Sequence, residues 1–161
     1  MTSRIKQLDG DQGAVDILDI DTPDIGTYNF TIRSAADFTG ISIILFGLSG
    51  VNSGTPRRTP IGDTNYGGTA SATATTESGD FVLGAFSTVN SATLDGSLTS
   101  LYGNLLGLNE YGSAGYLTAS GATATVQATQ TANQWAAAAL PYIPAGGGSI
   151  VPQAMAGYRQ Q

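Results

Sequence analysis

Cysteine and histidine are both missing from these 161 residues. Without cysteine there is no disulfide framework and no thiolate metal site. Without histidine the chain lacks the commonest general base and the commonest metal ligand. Charge is scarce as well: charged residues make up 11% of the chain, against about 25–35% on a typical soluble surface. There is one lysine, Lys6, and the formal net charge is −6. That balance argues against nucleic acid, whose binding is led by phosphate neutralisation. No apolar run approaches the ~20 residues that span a bilayer, and no apolar core follows Arg4 and Lys6 to make a signal peptide. The expectation is therefore no nucleic-acid partner, no membrane, no cofactor, no metal and no enzymatic activity.

What is present is small and β-branched. Gly, Ala, Thr and Ser supply 22, 21, 20 and 14 residues, nearly half the chain. Such residues suit flat, closely packed strands. The length fits one domain, which buries about 68–70% of its unfolded surface.

The organising stretch is 121–143. Ala122, Ala124, Val126 and Ala128 alternate with Thr123, Thr125, Gln127 and Thr129, the period of a half-buried strand. The only tryptophan, Trp135, then leads an apolar run to Ile143. We read a strand pair with one aromatic anchor. Alanine is also the best helix former, and Thr131 or Asn133 suits a helix cap, so 131–140 has a helical alternative. The short run and its Pro-Tyr-Ile-Pro ending favour strand.

Elsewhere, residues 1–24 read as an acidic arm holding six of the twelve acidic residues, with an edge strand over Ala14 to Ile20. A turn at Thr22 to Gly26 and a strand from Thr27 to Arg33 follow. Ile41 to Leu48 is apolar and uncharged, which predicts a central strand covered on both faces. Ser49 to Gly68 reads as a long loop carrying Arg57 and Arg58. Strands are expected at Thr69 to Thr76, Phe81 to Ser87, near Ser100 to Leu105, and at Ala114 to Ala119, with a turn at Glu77 to Asp80. Pro144 closes the domain, Gly146 to Gly148 forms a joint, and 149–161 forms a tail. The expected fold class is all-β: an antiparallel β-sandwich or jelly roll of about eight strands over 25–144, with extended arms at 1–24 and 145–161.

Three stretches, taken together, carry a family resemblance. They are Ser78-Gly79-Asp80-Phe81-Val82-Leu83-Gly84-Ala85-Phe86; the Ala/Thr strand leading through Trp135 to Pro144; and Gly40 through Asn52 with Thr55-Pro56. Over roughly Gly26 to Pro144 the chain resembles a β-sandwich module, jelly-roll or concanavalin-like, of phage structural and bacterial surface proteins. The resemblance rests on strand patterns and brings no catalytic residues. It departs in having few strands before Thr27 and an alanine-rich strand after Trp135. What it implies is a structural or adhesive role, and a small chain of this kind resembles a phage capsid decoration (cement) protein.

Candidate sites are few. Asp9-Gly10-Asp11-Gln12-Gly13 lacks the fifth and twelfth ligands of a calcium loop, which fall on Gly13 and Ile20, so a solvated acidic arm is favoured. Paired carboxylates can hydrolyse glycosides, and Glu77, Asp80 and Glu110 are the acids of the central half apart from Asp63 and Asp95, but Glu77 and Asp80 sit in a tight turn, where Asp and Ser have ordinary roles. Arg57 and Arg58 fit an anion, or the acidic arm of a neighbouring subunit. Tyr66, Tyr102, Tyr111 and Tyr116 lie near Gly- and Asn-rich loops, as sugar-stacking residues would.

The expected function is a structural virion protein on the outer surface of the particle, binding the major capsid protein and copies of itself. It would be a homo-oligomer, with a trimer among the options. Ile17, Ile20, Arg57, Arg58, Ile150, Val151 and Tyr158 are the expected partner-binding residues. The alternative is a carbohydrate-binding module of a tail fibre or surface adhesin, with a glycan partner and a phage-tail or extracellular location.

Overall fold

A computed structural model describes residues 2–8, 14–20, 41–107, 110–146 and 148–160. Among these the chain is all-β and antiparallel, with no helix. The ten strands are β1 (Thr2–Leu8), β2 (Ala14–Asp19), β3 (Ile41–Ser49), β4 (Ile61–Thr75), β5 (Phe81–Thr88), β6 (Thr93–Leu94), β7 (Thr99–Gly107), β8 (Glu110–Thr118), β9 (Thr123–Tyr142) and β10 (Val151–Gln160). The expected turn at 22–26 and the strand from Thr27 to Arg33 lie outside the described residues.

The main sheet runs β4-β9-β5-β8-β7, with β6 also on β9. Its spine is β9, a single strand of 20 residues rather than the expected pair, and no part of 131–140 is helical. At ~3.4 Å per residue a straight strand of that length would far outreach a domain of this size. β9 bends instead, at a bulge. Gly67 faces Asn133 and Thr69 faces Thr129, so three residues of β9 oppose Gly68 alone. Gln130, buried in that bulge, binds it together. Its Nε2 donates to the carbonyls of Gly67 (3.3 Å), Asn133 (3.2 Å) and Gln134 (3.2 Å), and its Oε1 accepts from the Asn90 amide at 3.1 Å.

The bend makes the sandwich. Before it, β9 and the end of β4 form a ribbon whose inner face is Ala70, Ala72, Ala74, Ala124, Val126 and Ala128. These pack on Val82, Phe86, Trp135, Ala137 and Ala139 of the sheet beyond the bend. The layers touch at Gly84, where an added Cβ would stand 2.8 Å from Val126 Cβ. After the bend, both faces of β9 are covered. Ala136, Ala138, Leu140 and Tyr142 face the other way, into a second cluster with Phe81, Leu83, Val15, Ile17 and Ile150. Two-sided burial explains why the sequence changes at Trp135 from alternation to a continuous apolar run.

Other differences follow from pairing. β4 begins at Ile61, so the loop is shorter than expected and Gly67-Gly68 is a bulge site rather than a loop end. Partnership with the alanine run of β9 holds the Gly-, Asp- and Asn-containing start of β4 extended. Among the described strands β3 pairs only with β10, so it is not a central strand, and its residues Ile43, Ile44 and Leu48 are half-buried. The tail expected to extend away supplies β10, and the N-terminal arm forms the β1–β2 hairpin, whose inner face covers the second cluster. The turn at Glu77 to Asp80 is present. The Asp80 amide donates to the Glu77 carbonyl (3.1 Å), and Gly79 takes the positive φ of 98° that such a turn requires at its third position.

Candidate functional site

The two arginines lie in an extended loop that runs beside the end of β9. The Asn52 amide donates to Ile143 O (2.8 Å), Ile143 N to Pro56 O (3.0 Å), and Arg58 N to Pro141 O (3.0 Å). In an extended backbone neighbouring side chains diverge, and the pair separates accordingly. Arg57 Nη1 meets Asp19 Oδ2 at 3.1 Å, and Arg4 pairs with the same carboxylate. Arg58 grips Asp80 with two nitrogens, Nε to Oδ2 at 2.5 Å and Nη2 to Oδ1 at 3.3 Å, and reaches Glu77 Oε2 at 3.1 Å.

Asp80 is 2% exposed and also accepts the Glu77 amide at 2.8 Å. Both its oxygens are therefore engaged within the chain. The hydrogen bond to Asp80, with the charges of Asp80 and Glu77, raises the Arg58 pKa above its ordinary value. Arg57 does reach an acidic segment, as the loop position suggested, but it is the chain's own: Asp19 of β2. The arginines thus tie the N-terminal hairpin and the 77–80 turn to the sheet, with acids of the chain itself as their partners.

The remaining expected contact residues divide. Ile17 and Ile150 are buried in the second cluster, because β2 and the segment before β10 fold back onto the sheet. In the folded chain they are core residues. Ile20 (38% exposed) and Val151 (52%) are open to solvent. Tyr158 stands opposite Ile43 in the β10–β3 ladder. The Asp9 to Gly13 segment lies outside the described residues.

Two exposed side chains of the hairpin were not among the expected contacts. Leu18 (47%) shares the outer face of β2 with Asp16, and Leu8 (53%) pairs across the hairpin with Ala14. Leu18 was readable in principle: like Ile20, it falls on the polar side of the Val15/Ile17 alternation. Tyr66 is 68% exposed on β4 beside Asn65 and opposite Gln134. Of the other tyrosines, Tyr116 stacks on Phe81 with ring centroids 4.7 Å apart, while Tyr102 and Tyr111 are half-buried.

Two surfaces carry no charge. One is an open depression of about 310 Å³ lined by Ser97, Leu117, Thr118, Ala119, Ser120 and Thr123 to Thr125. The other is the outer face of the ribbon, where Thr69, Ser71, Thr73 and Thr75 stand opposite Thr129, Gln127, Thr125 and Thr123. The hydroxyls of Thr73 and Thr125 are 2.8 Å apart. What this arrangement offers a ligand is contact area and hydroxyls rather than a reactive group. No family model matches the chain, and no curated protein or solved structure is similar to it.

Proposed function

We propose that this chain is a structural protein of a virion, a capsid decoration (cement) protein that strengthens the particle by binding the major capsid protein and copies of itself. The observation that carries the reading is the outer face of the N-terminal hairpin. There Leu18 and Ile20 stand exposed two residues apart, with Leu8 further along, on a chain otherwise short of surface charge. Exposed aliphatic side chains on a rigid, docked element fit a contact with a large neighbour. Burying them on the assembled shell stabilises it by mass action, since only the folded, assembled state offers the site.

The contact surface in this reading is the hairpin's outer face with Val151, rather than free arms. The test is co-sedimentation with purified particles that lack the protein. The wild-type chain binds, and L18S/I20S, which alters only exposed side chains, binds about tenfold more weakly or worse. Failure of the wild type to bind refutes the virion role, and unchanged binding by L18S/I20S refutes this surface.

One observation favours a second reading, a carbohydrate-binding module of a tail fibre or adhesin. Tyr66 exposes its ring on β4, with Gln134 opposite it across the ladder. Saturable binding on a glycan array, lost in Tyr66→Ala, supports that alternative.

A further inference from the structure

β4 is the outer edge of the main sheet: among the described strands it pairs only with β9. Such an edge presents alternate N–H and C=O groups that another strand can take up. The two halves of β4 treat this differently. In the first half, side chains occupy the donors: Thr64 N–H donates to Asp63 Oδ1 and Tyr66 N–H to Asn65 Oδ1, both at 2.8 Å. In the second half, 69–75, no side chain bonds the backbone in this way among the described residues. The sequence there is Thr-Ala-Ser-Ala-Thr-Ala-Thr, with no charge, no proline and no bulge within it. These are the devices that ordinarily blunt an edge.

We infer that residues 69–75 pair with the same segment of a second copy of this chain, antiparallel about a two-fold axis at Ala72. The segment is complementary to itself. Ala70, Ala72 and Ala74 face the core, while Thr69, Ser71, Thr73 and Thr75 face outward. Pairing centred on Ala72 sets 70 opposite 74 and 71 opposite 73, so alanine meets alanine and hydroxyl meets hydroxyl. A one-residue slip would turn threonine into the alanine face.

Charge points to the same occupant. Two copies of a chain at −6 repel unless their acids stay apart. This register sets Glu77 of one copy opposite residue 67 of the other and leaves Asp63 beyond the paired segment, so no acid faces an acid. The product joins two Thr-faced ribbons into one four-stranded surface. The contact is two-fold, not three-fold, and it does not depend on the particle reading.

The test is sedimentation of the full chain over a range of concentrations. The wild type shows a monomer–dimer equilibrium. S71K/T73K sets like charges directly opposite across the axis and weakens the dimer about tenfold or more; S71E/T73E does the same. A one-to-one mixture of the two variants restores dimer, which a merely destabilised fold would not do. Thermal melts show that each variant is folded. A wild type that stays monomeric, a trimer, association untouched by S71K/T73K, or a mixture that fails to recover overturns the inference. Particle binding without dimer, or dimer without particle binding, separates this contact from the proposed function.

Discussion

If the ribbon before the bend of β9 folds down onto β5, then Gly84 is the point of closest approach, and Gly84→Ala tests it. A methyl group there stands 2.8 Å from Val126 Cβ and 3.1 Å from each of its methyl carbons. Carbon atoms rest at about 3.5–4.0 Å, so the layers must part by several tenths of an ångström. Val126 is fully buried, and a turn about its χ1 would move only its methyl carbons and leave Cβ in place, so a change of rotamer gives no relief. Overpacking of this kind costs about 1–3 kcal/mol. Replacing glycine in a strand returns about 0.5–1 kcal/mol of backbone entropy. The net expectation is a loss of about 1–2 kcal/mol, or a fall in Tm of roughly 2–8 °C for a chain of this size.

Val126→Ala alone removes two buried carbons and costs about 1.6 kcal/mol plus a cavity contribution. In the double variant the two contacts to the valine methyl carbons are gone, while the one to Cβ, which alanine keeps, remains. The pair should therefore be less damaging than the sum by about 0.5–1 kcal/mol. Urea unfolding followed by the fluorescence of Trp135, the only tryptophan and part of the same cluster, measures all three. Additive costs, or a neutral Gly84→Ala, would refute the folded-over ribbon.

Further variants probe what holds the bend and the loop. Arg58→Ala leaves Asp80 buried without its cation and should cost about 3 kcal/mol in urea unfolding; R58A/D80N should recover part of that loss, and an equal or larger loss in the double variant would show that the pair is not the cause. Gln130→Ala strips a donor from three carbonyls and an acceptor from the Asn90 amide, for an expected loss of about 1–3 kcal/mol, and a change under about 0.5 kcal/mol would mean that the bulge holds itself.

Local pattern settled a good deal by itself. The alternation at 69–75 and 123–129 fixes which side chains face in, because a strand has a period of two whatever it pairs with. The continuous run after Trp135 announces burial on both faces, and the Glu77 to Asp80 turn is written in its glycine. The scarcity of charge and the lack of histidine turn attention from chemistry to surfaces.

Pairing was another matter. An Ala/Thr repeat looks the same in every register, so nothing local says that β9 is one strand bent at Gln130 rather than two. Ile41 to Leu48 reads as apolar strand, but its partner, β10, lies over a hundred residues away. Ile17 and Ile20 look alike in sequence, as do Ile150 and Val151. Only the docking of the hairpin and the return of the C-terminal segment bury one of each and expose the other. The arginines make the same point: their charge is legible in the sequence, while their spending it on Asp19 and Asp80 of the same chain depends on which distant segments the fold brings within 3 Å or so. Period and composition are local properties of the chain; partner, register and exposure are set by long-range contacts, and in this protein the surfaces left open for binding are what those contacts leave over.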